Sequence, residues 1–362
     1  MRLETWMFSH GDQIPCKWRE CLDLFPPERV DVYYHPAYCA SWLGWEDGTA
    51  IALAANDDGT QFLYCFLLSP LPWSVDPHWC YDAQSFYGYG GIVTSTPAHQ
   101  EQLERFNNAV DRWMLDHGVV AEFIRANPLL HATPSDARLA DYHHVRTNVY
   151  AIPPQKMLTM LDAATRRNVR KALRAGIQIE RMTAAQGARI FAKLYQHTVE
   201  RLGMEAFYRF PDSYFEHCQK YLTEEVEYRV AHLGGEPIAA LMLLVSKKTI
   251  TYHLGASDER WWHVRPNDLL FASLLEDAAQ RGYSTVSFGG GTTLDSTDTL
   301  FRYKRKFGNV VQPVYVGFRI HHLPTYERFC AQWELELPDY VVRYRRYFLR
   351  YRGGQFERKV MH

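Results

Sequence analysis

The sequence lacks most of the features that place a chain quickly. It has no excess charge of one sign: 40 Lys and Arg stand against 41 Asp and Glu, a formal net charge of -1 over 362 residues. A protein that wraps nucleic acid on one broad basic face carries more imbalance than this, so any polyanion must be met by a local patch. Long hydrophobic runs are missing as well. The longest unbroken aliphatic stretch, Ile238 to Val245, is far short of the roughly 20 residues that cross a bilayer. The opening Met1-Arg-Leu-Glu-Thr-Trp has no apolar segment of the export type. The seven cysteines form no CxxC pair, and their odd number argues against a closed disulfide framework. No two cysteines or histidines sit at ligand spacing with a second pair in reach, which argues against zinc. The neighbours His143-His144 and His321-His322 would point to opposite sides on a strand, a poor geometry for one metal. The expectation is a chain of the reducing cytoplasm, with no metal or resident cofactor and no stable membrane insertion.

What is present is apolar and aromatic. Hydrophobic residues make up 47% of the chain, with 10 Trp, 23 Tyr and 19 Phe, which suits a well-packed globular protein with deep clefts. The length is long for one core and comfortable for two domains. In the first half, strands over 49–55 and 60–67 flank Asn56-Asp-Asp-Gly59, a hairpin signal. A loop with Tyr87-Gly-Tyr-Gly-Gly91 follows, then a helix over 97–117 with Thr96 as cap and Pro97 in its first turn. A strand over 119–124 is ended by Asn127-Pro128.

The second half opens with helices over 158–175, stopped by Gly176, and 184–201. A meander over 227–233, 237–245 and 249–256 comes next. A helix capped by Asn267 or Asp268 then carries Leu270, Leu274 and Ala278 on one face and ends before Gly282. Strands over 284–288 and 310–320 follow. The tail from 338 to 362 reads as an amphipathic helix, with Val341, Tyr344, Phe348 and Tyr351 on one side and Arg343, Arg346 and Arg350 on the other, followed by Gly353-Gly354.

Several stretches carry a more specific pattern. They are Phe86-Tyr-Gly-Tyr-Gly-Gly91, Arg166-Arg-Asn-Val-Arg-Lys-Ala172, Leu194-Tyr-Gln-His-Thr-Val-Glu-Arg201, Gly235-Glu-Pro-Ile-Ala239 and Tyr252-His-Leu-Gly-Ala256. Asn267-Asp-Leu-Leu270, Phe288-Gly-Gly-Gly-Thr292 and Phe301-Arg-Tyr-Lys-Arg-Lys-Phe-Gly308 complete the series. In this order they resemble the FemAB/FemX-like acyltransferases, a two-domain group of the GNAT superfamily. The resemblance implies an α/β (α+β) chain of two GNAT-like domains in tandem, each a mixed, mainly antiparallel sheet flanked by helices. It implies domains over 1–150 and 151–322, with 323–362 as a helical tail packing back on their junction. It also implies that central strands of the second domain splay to admit an acyl donor. The activity implied is amide formation by moving an acyl or aminoacyl group onto a primary amine, from aminoacyl-tRNA or from acyl-CoA as co-substrate.

The resemblance puts Tyr303-Lys304 at the catalytic motif. Attack of an amine on an ester or thioester passes through an oxyanion, and a fixed cation there contributes roughly 3 kcal/mol. The plainer alternative makes Lys304 one of four cations on a solvated face. Gly289, Gly290 and Gly291 permit a close backbone approach to substrate, or simply a tight turn. Thr292 and Thr293 are candidate donors to a bound oxygen. Tyr87 and Tyr89 suit the acceptor side of a cleft, and equally suit ordinary aromatic packing. Arg166, Arg170 and Arg174 recur every fourth residue with Arg167 and Lys171 alongside, a face for the phosphates of a tRNA or of a nucleotide-linked acceptor. The place of a CoA pyrophosphate loop reads Trp261-Trp-His-Val-Arg265-Pro-Asn-Asp268, without glycine, which leaves Arg265 and a helix N-terminus for any phosphate. That loss tilts the donor towards aminoacyl-tRNA. Asp82, His253, Asp268 and Asp295 are the candidate general bases. Alternatives are an acyl-CoA-dependent N-acyltransferase acting on an amino sugar or amino acid, and a non-catalytic binding module.

Overall fold

The computed structural model describes residues 1–73, 76–130, 143–151, 156, 159–293 and 295–354. The expected helix start at Leu158, the tail beyond Gly354 and the side chains of His143 and His144 lie outside the described residues. The chain divides into two compact units, Met1–His144 with Tyr315–His362, and Val145–Val314.

The first unit runs β1 (Glu4–Ser9), α1 (Cys16–Leu22), α2 (Pro36–Leu43), β2 (Thr49–Asp57), β3 (Thr60–Pro70), β4 (Tyr81–Gln84), β5 (Gly91–Thr94), α3 (Gln100–Asp116) and β6 (Val119–Arg125). Its strands lie in the order β1-β2-β3-β4-β6, with β5 paired to β3 outside that path. The β2–β3 turn is made by Asp58 and Gly59, both at positive φ (51° and 84°), the left-handed pair that a two-residue hairpin requires. Helix α3 starts later than Pro97 suggests. Thr96 bonds the Thr60 hydroxyl at 2.9 Å, and Gln102 closes the helix start by accepting from the His99 amide at 2.9 Å. Phe106, Val110, Trp113 and Met114 share one face of α3 and pack on Ile51, Leu53, Phe62, Tyr64 and Phe66.

The second unit runs β7 (His143–Ala151), α4 (Ala163–Arg174), β8 (Gln178–Thr183), α5 (Ala184–Leu202), α6 (Asp212–Tyr221), β9 (Val226–Leu233), β10 (Glu236–Val245), β11 (Thr249–Ser257), α7 (Pro266–Gln280), β12 (Thr285–Gly289) and α8 (Thr299–Arg305). The strand order is β7-β12-β11-β10-β9-β8. Asp162 caps α4 by accepting from the Thr165 amide at 2.7 Å. Strand β10 is buried on both faces from Ile238 to Leu244, which is why it reads as an unbroken aliphatic run. Leu241 and Leu243 meet Leu270, Leu274 and Ala278 of α7 in one core, with Ala172 of α4. Helices α5 and α6 pack together, and Phe191 of α5 lies 5.4 Å from Tyr228 of β9.

The chain then returns to the first unit through β13 (Val310–Ile320), whose Val316–Ile320 part pairs antiparallel with β6, and through α9 (Leu323–Glu336) and α10 (Pro338–Tyr344). The stripe of Val341, Tyr344, Phe348 and Tyr351 joins a core built on Phe329 and Trp333, as its apolar spacing predicts. The tail is not one helix, however. It stops at Tyr344, because the chain folds back until a Cβ on Gly353 would stand 2.7 Å from the Tyr344 Cβ, and Trp333 Nε1 donates to the Gly353 carbonyl at 3.1 Å.

Each unit repeats one pattern. Three antiparallel pairings (β1/β2, β2/β3, β3/β4 and β8/β9, β9/β10, β10/β11) lead to a parallel one (β4/β6 and β11/β12) and a final antiparallel one (β6/β13 and β12/β7). The α/β (α+β) class, two GNAT-like domains with mixed, mainly antiparallel sheets, is thus the one expected. Among the described residues no helix is long and apolar enough to cross a membrane.

Candidate active site

In the second unit the parallel ladder between β11 and β12 covers only Thr249–Thr251 against Thr285–Ser287. Beyond it β11 continues to Ser257 without that partner, so the two strands part. On its other edge β11 carries a bulge: Leu243 faces Tyr252 and Met242 faces Leu254, which leaves His253 as the extra residue. A sheet that opens in its middle exposes main-chain donors and acceptors to a bound chain, which is the splaying that the resemblance implies.

Lys304 of α8 stands at this opening. It is 5% exposed, and its ammonium donates to the Gly290 carbonyl at 2.7 Å and lies 4.9 Å from the Tyr252 ring centroid. It is therefore not on a solvated face. It is held between the first β11 residue past the ladder and the end of β12. Gly289 has φ 68°, a left-handed turn that glycine adopts freely, and a Cβ there would make only an ordinary contact, 3.6 Å from the Lys304 Nζ.

Asp298, not anticipated from the sequence, organises this corner. Its carboxylate caps α8 by accepting from the Phe301 amide at 2.8 Å. It also accepts from the amides of Thr292 and Thr293, each at 3.0 Å, and from their hydroxyls at 2.5 and 3.2 Å. A Cβ on Gly291 would come 2.3 Å from Asp298 Oδ1. Burial opposes the Asp298 charge, but the bonds from Thr292, Phe301 and Thr293 outweigh it and hold the carboxyl well below the usual carboxylate range. Thr292 and Thr293 thus turn inward to Asp298, which engages both hydroxyls that the sequence offered to a bound oxygen. The available signal was an Asp directly before a short helix, the N-cap position.

Tyr303 packs edge-on against Phe271 (5.3 Å, 77°) and against Phe307. Its hydroxyl is buried and has no hydrogen-bond partner among the described residues. Burial, then the Asp268 carboxylate, push it well above its ordinary pKa, so it stays protonated. Asp268 was expected to cap α7 as an alternative to Asn267. Instead Pro266 is the first helical residue, Arg265 precedes it at φ 66°, and Asp268 sits buried in the first turn, accepting from Asn168 of α4 at 3.0 Å.

Arg166, Arg167, Arg170, Lys171 and Arg174 of α4 are all exposed, and Arg265 is exposed as well. Arg166 folds back to donate to the Leu161 carbonyl. Tyr87 and Tyr89 belong to the first unit. Tyr87 stacks on Trp42 (5.2 Å, 15°), its carbonyl accepts from the Tyr38 hydroxyl, and Tyr89 meets Tyr33 edge-on at 5.3 Å.

Each of the four candidate bases has a structural partner. Asp82, fully buried in the first unit, takes both arms of Arg352 at 2.7 Å. His253 shares a 2.8 Å hydrogen bond with the Tyr214 hydroxyl, and burial pushes it down to about 3, so it is neutral. Asp268 holds Asn168, and Asp295 accepts from the Thr297 amide at 2.7 Å on the surface. Among the described residues no cluster of three His, Cys, Asp or Glu is arranged to hold a metal ion.

Residues 163–305, which include the opened strands, the glycine run and Lys304, match the family described as an acetyltransferase (GNAT) domain. No curated protein matches the chain. Among solved structures it is similar to FemX at 16% identity, with a TM-score of 0.59 over 77% of this chain and 90% of that one. It is also similar to the C-terminal domain of a putative lysylphosphatidylglycerol synthetase from Agrobacterium fabrum (14% identity, TM-score 0.51, 83% and 91% covered). A conserved protein of unknown function from Bacteroides thetaiotaomicron is a third (8%, 0.53, 84% and 96%). At these identities the likenesses are of fold. The fold is thus of the GNAT kind, and within it residues 163–305 carry the match to an acetyltransferase (GNAT) domain.

Proposed function

We propose that the protein moves an aminoacyl group from aminoacyl-tRNA onto the primary amine of a small-molecule or cell-wall-precursor acceptor. The amine nitrogen attacks the ester carbonyl carbon, the bond from that carbon to the ribose oxygen breaks, and the proton lost by the amine goes to the ribose oxygen. Lys304 meets the oxyanion of the tetrahedral intermediate, a contact that commonly contributes about 3 kcal/mol. Tyr303, the residue before Lys304, holds this end of α8 on the core through Phe271 and Phe307.

The observation that carries the choice of donor is the start of α7. A phosphate bound at a helix N-terminus needs free amides and no competing anion. Here the first residue is Pro266, which has no N–H, and Asp268 places a buried carboxylate in the first turn. Such a start disfavours a CoA pyrophosphate. The exposed Arg166, Arg170 and Lys171 face, extended by Arg167 and Arg174, suits the repeated phosphates of an RNA backbone. The Agrobacterium fabrum neighbour, named for lysyl attachment to a lipid, is in keeping with aminoacyl transfer.

The description of the matched family as an acetyltransferase domain favours a second reading, acyl-CoA-dependent N-acylation of an amino sugar or amino acid. Both are tested together by offering an amine pool either radiolabelled aminoacyl-tRNA, with and without RNase pretreatment, or acyl-CoA with thiol detection. Label transfer abolished by RNase is expected. RNase-insensitive transfer, or thiol release from acyl-CoA, would replace the first reading by the second.

A further inference from the structure

We propose that the surface around α10 docks the protein onto an anionic lipid bilayer, an interaction independent of the donor chemistry above. The inner side of this segment, Tyr340, Val341, Tyr344, Phe348 and Leu349, packs on the Trp333 core. Its outer side carries large apolar groups in solvent: Val342 is 82% exposed and Tyr347 58%, and Leu335 at the end of α9 is 79% exposed. Interleaved with them are the exposed Arg343, Arg345 and Arg346, and the guanidinium of Arg343 lies 5.2 Å from the Tyr344 ring centroid.

From Pro338 to Tyr347 the charge is one-sided. Asp339 is the one carboxylate between Pro338 and Tyr347. Beside Leu335, Glu334 lies 3.9 Å from Arg350, while Glu336 accepts from the neutral Gln332 at 2.7 Å and keeps its charge. Arg352, by contrast, is spent inward on Asp82. With a formal net charge of -1 on the whole chain, any attraction to an anionic surface must come from a local patch such as this one. Cations alone would equally suit nucleic acid. Exposed valine, leucine and tyrosine beside them gain nothing from a phosphate backbone, whereas the headgroup and upper acyl region of a bilayer accepts both kinds of group.

The test is sedimentation of the full chain with vesicles of phosphatidylglycerol and phosphatidylcholine, against phosphatidylcholine alone. Binding is expected only to the anionic vesicles. Raising the salt from 0.1 to 1 M should release the protein, as the screening length falls from about 10 to about 3 Å. R345Q/R346Q should lower the partition coefficient roughly thirtyfold, and V342S/Y347S should lower it at constant charge. These side chains are exposed, and an unchanged melting temperature checks that each variant folds. Absent binding, equal binding to neutral vesicles, or an unchanged partition of R345Q/R346Q would overturn the proposal. So would RNA binding lost in R345Q/R346Q without any binding to vesicles.

Discussion

Asp298→Ala removes one carboxylate and, with it, the acceptor for three amides and two hydroxyls. Loss of a helix N-cap alone costs about 1 kcal/mol. The bonds from Thr292 and Thr293 go to a charged acceptor, and losing them as well brings the expected destabilisation to about 3 kcal/mol. Urea unfolding followed by circular dichroism reads this as a lower midpoint at unchanged slope. Asp298→Asn keeps an acceptor oxygen but not the charge, and should fall between alanine and wild type. The pH dependence has a definite sign. The folded carboxyl is held below its unfolded value of about 3.9, so its contribution is present above that pH and is lost as the pH falls. The gap between wild type and Asp298→Asn should therefore narrow below about pH 4. A loss for Asp298→Ala under about 0.5 kcal/mol, the range of an ordinary surface change, would refute the idea that this carboxylate holds the glycine corner and Lys304 in place.

Other perturbations separate binding, stability and protonation. Arg170→Ala with Lys171→Ala should raise the Michaelis constant for the tRNA donor with little change in kcat, and a steeper dependence of binding on salt in wild type than in the variant would support the phosphate contact. Arg352→Met should destabilise by about 3 kcal/mol, because it strands a buried Asp82 carboxylate; adding Asp82→Asn should recover part of the loss, and calorimetry of the single and double variants decides. Burial keeps His253 neutral down to about pH 3, so kcat/KM between pH 5 and 8 should show no step from it. A step that disappears in His253→Gln would contradict that assignment.

Much of both units was legible because the signals are local. Strand β10 announces itself as an aliphatic run and α5 by its apolar period, and the Asn56–Gly59 turn follows from the left-handed conformations that Asp58 and Gly59 adopt. Strand β8 was not legible: Gln178, Glu180 and Arg181 are exposed on it, and only Met182 is buried, so an edge strand shows no alternation. The start of α7 misled in a different way. Asn267 and Asp268 are good caps in isolation, but Pro266 takes the first helical position and Asp268 is drawn into a bond with Asn168, a residue 100 positions earlier. The same holds at the candidate site. The lysine and the three glycines form a motif in one dimension, whereas Asp298 became meaningful only when the loop closed on it. Tyr252 marks where β11 leaves β12, a boundary set by pairing over three residues that no single segment encodes.

In the proposed reaction Lys304, at the parting of β11 and β12, carries acyl transfer. Single-turnover transfer of label from aminoacyl-tRNA to an amine acceptor, with wild type against Lys304→Met, measures that role. Methionine preserves the length of the side chain in its buried slot but not the ammonium. The expected result is a rate lower by roughly a hundredfold to a thousandfold at an unchanged melting temperature. A Lys304→Met rate within about threefold of wild type, well short of what an oxyanion contact supplies, would contradict the account.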